Sequence, residues 1–79
     1  MMKQINVLTF GAIREITGNK NLVIEAVDTT ETLVKILEEK YPMLKTVQYA
    51  IAVNKEVIQH PVVLNDQADV ALLPPFSGG

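Results

Sequence analysis

Neither cysteine nor tryptophan occurs in the 79 residues, and two Phe and two Tyr are the whole aromatic content. The missing thiol excludes a cysteine nucleophile, a persulfide, a disulfide staple and a thiolate zinc site. Without Trp, and with 48% hydrophobic residues, the core must be aliphatic, built from Val, Ile and Leu. A chain this short forms one domain that buries about 60–65% of its unfolded surface, so that single core has to be used efficiently. Positive charge is also scarce. Seven Lys and Arg against nine Asp and Glu give a net charge of −2, and the basic residues are scattered, which excludes the footprint of a nucleic-acid binder. No apolar run approaches the roughly 18 residues of a membrane span, and Met1-Met2-Lys3-Gln4 leads into an alternating strand rather than a secretory hydrophobic segment. The expected location is therefore cytoplasmic. The single histidine, His60, stands beside Pro61 with no second ligand at metal spacing, so it reads as an exposed loop residue, and no metal or permanently bound cofactor is expected.

What is present is a series of short strands around one helix. Ile5, Val7 and Thr9 alternate with Asn6, Leu8 and Phe10, the period of a strand. Gly11 punctuates, Ala12 to Gly18 predicts a turn or a helical turn, and Asn21 to Ala26 a second strand antiparallel to the first. Asp28 followed by Glu31 and by Leu33, Ile36, Leu37 and Tyr41 predicts a helix from Thr29 to Lys40 with Asp28 as its cap. Pro42 ends it, and Met43 to Tyr49 reads as a connection with a further helical turn. Ala50 to Asn54 predicts a strand, Asn54-Lys55-Glu56 a turn into Val57 and Ile58, Leu64 to Asp69 a polar turn, and Val70 to Leu73 a last apolar strand. The order β-β-α-β-(β)-β is that of an α+β, ubiquitin-like β-grasp: a mixed sheet packed on one principal helix, with the first and last strands side by side at its centre.

The chain then runs Pro74-Pro75-Phe76-Ser77-Gly78-Gly79. Two prolines end strand pairing and direct the last residues away from the body, so residues 1–73 are expected to form the domain and 74–79 a flexible tail. Fully extended, those six residues reach about 20 Å, enough to enter another protein's active site. Gly78 and Gly79 lack Cβ and fit a slot too narrow for other residues. Ser77 has no base in prospect and is read as a tail position that hydrogen-bonds a partner rather than as a nucleophile.

Three segments carry a family resemblance: V-L-T-F-G-A-I-R-E-I-T-G (Val7 to Gly18), A-V-N-K-E-V-I (Ala52 to Ile58) and D-V-A-L-L-P-P-F-S-G-G (Asp69 to Gly79). Together they resemble the small, sulfur-carrying subunit of molybdopterin synthase over essentially the whole chain. The resemblance implies that an activating enzyme adenylates the Gly79 carboxylate with ATP and that a sulfur donor protein then converts it to a thiocarboxylate. The large subunit, in a heterotetramer of two small and two large chains, would use that sulfur to build the dithiolene of molybdopterin from cyclic pyranopterin monophosphate. The chain itself would be a non-catalytic carrier, with Gly79 as the reacting position and Gly78 serving tail insertion. Two other ubiquitin-like roles use the same terminus: a protein modifier joined to lysines through Gly79, and the thiamine-pathway sulfur carrier. Against the resemblance, Phe76 stands where a smaller residue is expected, Gln67 where a glycine is expected in the turn before the last strand, and Gly11 where an alanine is expected.

Alternation assigns the surfaces. If Ile5, Val7, Val70 and Leu72 face the helix, Leu8, Phe10 and Leu73 turn to the opposite face, where Val57 joins them. An uncovered apolar face on a small domain marks an interface, so Leu8, Phe10, Val57 and Leu73, with Pro74, Pro75, Phe76 and Ser77 of the tail, are the expected partner-binding residues. The competing reading folds the Met43–Tyr49 connection over that face. Arg14 and Glu15 suit a surface pair worth at most about 1 kcal/mol or a partner contact, and Lys35, Glu38, Glu39 and Lys40 a solvated helix face.

Overall fold

The computed structural model describes residues 3–74. β1 (Gln4–Thr9) and β2 (Asn21–Glu25) form an antiparallel hairpin separated by α1 (Gly11–Thr17), and α2 (Thr30–Lys40) then crosses the sheet. A short 3₁₀ segment (Pro42–Thr46) leads to β3 (Ala50–Val53), β4 (Glu56–Val57) and β5 (Asp69–Leu73). The five strands lie in the order β2-β1-β5-β3-β4. β1 and β5 are parallel neighbours at the centre, paired from Asn6–Asp69 to Thr9–Leu72, the placement expected from their apolar character.

Alternation of side chains along these strands sorts the residues by face. Ile5, Val7, Val70 and Leu72 are fully buried and pack with Leu33 and Leu37 of α2, Ile13 of α1, Leu44, Val27 and Leu64. Every large side chain of this core is aliphatic, as the composition requires. The connection after α2 sends Leu44 into this core, with Tyr41, Val47 and Tyr49 packed against it. It therefore covers the helix side, and the opposite face of the sheet is left open by the described residues.

Three local expectations are corrected or narrowed. The cap of α2 is Thr29, whose extended backbone lets its hydroxyl accept from the Thr32 N–H at 3.2 Å. Asp28 instead pairs with Lys3 at 3.0 Å, while its carbonyl accepts from the Leu64 N–H at 2.7 Å. Of the turn or helical turn expected before β2, the helical form is found, as a seven-residue helix: Gly11 enters it at φ +55° and Gly18 closes it at φ +75°, its N–H bonded to the Arg14 carbonyl at 2.7 Å. Both angles are left-handed, so the glycine at position 11 shapes the strand-to-helix turn. Arg14 and Glu15 do not pair; Lys3–Asp28 is the ion pair found among the described residues.

Asn54 and Lys55, at φ 49° and 74°, make the tight β3–β4 turn with both central residues left-handed, as hairpin twist requires. Gln67 takes φ 66° in the turn before β5. That is a left-handed angle, which a glycine would hold freely and a glutamine holds with some strain.

Candidate docking face and tail exit

The open face is built by register. Leu8 lies across from Ala71, Ala71 from Ala52, and Ala52 from Val57, while Leu73 lies across from Ala50. Phe10, one residue beyond the last β1–β5 pair, keeps extended angles (φ −137°, ψ 153°), so alternation carries it to the same face as Leu8 and beside Leu73. The result is a shallow apolar floor of Ala50, Ala52 and Ala71, rimmed by Leu8, Phe10, Leu73 and Val57. Phe10 and Val57 remain 36% and 55% exposed, and Ala52 is buried beneath its larger neighbours. All four large side chains expected on this face are there. The three alanines carry no signal in the sequence, because only the pairing register shows that they share one patch.

The same face is polar at its other end. Asn6 pairs with Asp69 through a side-chain hydrogen bond of 3.3 Å, and the Gln4 N–H donates to the Asp66 carboxylate at 2.8 Å. Val23 on the edge strand β2 is exposed but is paired with Asn6, away from the alanine floor. Apolar surface is thus concentrated where β5 ends.

Pro74 leaves β5 at that end and stands against Gly11, where an added Cβ would lie 3.7 Å from the proline Cγ. Pro74 therefore lies beside the start of α1, next to Leu73 at the rim of the patch. Pro75, Phe76, Ser77, Gly78 and Gly79, expected from the sequence to be tail and partner-binding residues, lie outside the described residues.

On α2, Lys35, Glu39 and Lys40 are exposed as expected, and Glu38 alone is half-buried. The Tyr49 hydroxyl donates to Glu38 at 2.9 Å. Burial first, then this hydrogen bond and the carboxylate's charge, push the Tyr49 phenol well above its ordinary value. His60 is an exposed loop residue with Nδ1 near the Pro61 carbonyl. No cluster of three potential metal ligands occurs among the described residues, and none of their helices is long and apolar enough to cross a membrane.

The strand order, the single crossing helix and the parallel central pair define a ubiquitin-like β-grasp protein. Solved structures agree. One is the small archaeal modifier protein 1 from Methanosarcina acetivorans, with TM-score 0.83, 26% identity, and 100% and 99% of the two chains covered. Another, the Haloferax volcanii HVO 2177 protein, has TM-score 0.84 at 20% identity and supports the fold alone. The chain belongs to the ThiS family, which matches residues 7–79. Among its relatives are molybdopterin synthase sulfur carrier subunits of Mycobacterium tuberculosis, 34% identical with 99% of this chain and 100% of that one covered, and of Arabidopsis thaliana, 31% identical with 96% and 83% covered. The resemblance drawn from the three segments is thereby upheld.

Proposed function

We propose that the protein is the sulfur carrier of a molybdopterin synthase. The observation that carries this reading is the extent of the relationship: the family match runs to residue 79, through Gly78 and Gly79, and named sulfur carriers align over nearly the whole chain. The chemistry needs little from the carrier's side chains. A carboxylate becomes an acyl electrophile once its oxygen attacks the α-phosphorus of ATP and pyrophosphate departs. Hydrosulfide released by a donor protein then attacks the acyl carbon, the bond to the AMP oxygen breaks and AMP leaves, so that a thiocarboxylate remains on Gly79. That soft nucleophile, carried on a narrow tether into the large subunit's pocket, meets its substrate at high effective concentration.

The domain's contribution is docking. The patch of Leu8, Phe10, Leu73 and Val57 borders the start of the tail on one side, so a partner that covers it also constrains where the tail enters. Phe76 adds an apolar anchor within the tail, and Ser77 a hydrogen-bonding position. Acid, base and substrate-binding groups come from the large subunit, and ATP belongs to the activating enzyme.

The likeness to the archaeal modifier protein favours a second reading, attachment of Gly79 to lysines of other proteins. Both start from the same acyl adenylate and differ in the nucleophile that attacks it. Intact-mass analysis of the protein from its own cells separates them. Exchange of one terminal oxygen for sulfur, with loss of molybdoenzyme activity when the gene is deleted, supports the carrier; lysine-linked adducts without that exchange support the modifier.

A further inference from the structure

A second apolar surface lies on the other side of the sheet edge. β4 pairs with β3 only at Ala52–Val57 and Val53–Glu56, and the Ile58 N–H reaches the Ile51 carbonyl at 2.9 Å before the chain turns away toward Pro61. Tyr49 and Ala50 consequently have no β4 residue beside them. Between this exposed edge and α2 runs a groove of about 590 Å³, with Val34, Ile51, Ile58 and Pro61 among its lining and Tyr49 in its wall. The Tyr49 hydroxyl is already engaged by Glu38, so that wall is fixed. Lys35 and Glu31, four residues apart on α2, also line the groove, and the Lys35 ammonium forms no ion pair among the described residues. A mainly apolar slot beside a strand edge, with an unpaired lysine among its described lining and Glu31 one helical turn away, suits an extended peptide that has a large apolar side chain and a carboxylate within reach of that lysine.

We propose that this groove binds the Pro74–Gly79 segment of a second copy of the chain, with Phe76 on the apolar lining and the Gly79 carboxylate toward Lys35. The segment has one large apolar side chain, no charged side chain and two prolines that preset an extended form at low entropic cost. A chain's own tail is poorly placed for the same contact. β5 is antiparallel to β3, so the tail departs past the start of β3, whereas the groove runs back from Ala50 toward Pro61, and consecutive prolines oppose the reversal. A second copy has no such restriction. The contact is head-to-tail, each molecule offering one groove and one tail. A tail held this way is withheld from other pockets, so self-association would compete with partner binding and grow with concentration. The proposal uses the tail's recognition chemistry alone and does not depend on whether Gly79 carries sulfur.

The test uses the full-length protein and a synthetic peptide of sequence Pro-Pro-Phe-Ser-Gly-Gly. Amide spectra during titration should shift at Val34, Lys35, Ile51 and Ile58, and Lys35→Glu or replacement of the peptide's Phe by Ala should each weaken binding about tenfold, or about 1.4 kcal/mol. Sedimentation should show the average mass rising above the 8.7 kDa monomer with concentration for the native protein and less so for Lys35→Glu, whose fold is checked by circular dichroism. Shifts confined to the Leu8–Leu73 face, an absence of shifts at millimolar peptide, or a monomer at every concentration would each overturn the proposal. Groove signals that respond to deletion of residues 75–79 but not to dilution would assign the groove to the chain's own tail and overturn it equally.

Discussion

The docking face can be tested by placing one charge at two positions on it. Leu73 is half-buried, lies across from Ala50 and borders the tail exit, whereas Val23 is 57% exposed and lies on the edge strand opposite Asn6. Leu73→Glu removes an apolar side chain whose full burial is worth about 1.5–3 kcal/mol and would force a carboxylate against an apolar partner surface. A loss of about 2 kcal/mol or more is expected if the patch is an energetic centre, close to thirtyfold in Kd for the large subunit. Val23→Glu makes the same change in charge at the polar end and should alter Kd less than threefold, under about 0.7 kcal/mol. Calorimetry gives the affinities, and circular dichroism with thermal melts shows whether both variants fold. Phe10→Glu should behave like Leu73→Glu. If the Leu73 and Val23 variants bind equally well, or if Val23→Glu is the weaker, the placement of the interface at the tail exit is refuted.

Leu37 is fully buried against the sheet, so Leu37→Ala should cost about 2–5 kcal/mol, seen as a large fall in Tm; an unchanged Tm would contradict the helix register. Gln67 holds φ 66° with only long side-chain hydrogen bonds of 3.4 and 3.5 Å. Gln67→Gly should therefore relieve strain and raise stability by up to about 1 kcal/mol, despite glycine's greater freedom in the unfolded chain, and a lower Tm would refute this. For Tyr49 the folded-state pKa lies above the unfolded value, so the folded protein retains the phenolic proton that the unfolded chain loses. Its contribution is complete below about pH 10 and declines as pH rises beyond that. Tyr49→Phe should flatten this alkaline loss in a series of denaturant melts, and an unchanged slope would argue against a raised Tyr49 pKa, whose first cause is burial and second the Glu38 contact.

The buried half of the protein is readable because its code is local. Period-two alternation places Ile5, Val7, Val70 and Leu72 on one face, and helical spacing places Leu33 and Leu37 opposite them. By elimination the same alternation puts Leu8, Phe10 and Leu73 outside. The alanine floor is not readable, since Ala50, Ala52 and Ala71 become neighbours only through pairings between residues about twenty apart. The cap of α2 departs from expectation for a related reason. Asp28 and Thr29 are both competent caps; the structure caps with Thr29, while the Asp28 carboxylate meets Lys3, distant in sequence. Glu38 likewise reads as a solvated residue until Tyr49 folds over to it. The groove along β3 depends on β4 being only two residues long and on the path of residues 58–61, which no periodicity encodes.

The proposed carrier role puts the sulfur on the C-terminal carboxylate of Gly79 and on no side chain. It is tested most directly by comparing the native protein with two variants, one lacking Gly79 and one extended by a single residue. Deletion shortens the reach by about 3.3–3.6 Å, where an error of even ~1 Å can cost a hundredfold in rate; extension places extra atoms in the terminal slot. After incubation with ATP, the activating enzyme and a sulfur source, intact-mass spectrometry should show one oxygen replaced by sulfur in the native protein and no change in either variant, with all three equally stable. If the extended protein acquired sulfur and supported formation of the pterin dithiolene, the carrier mechanism would be contradicted.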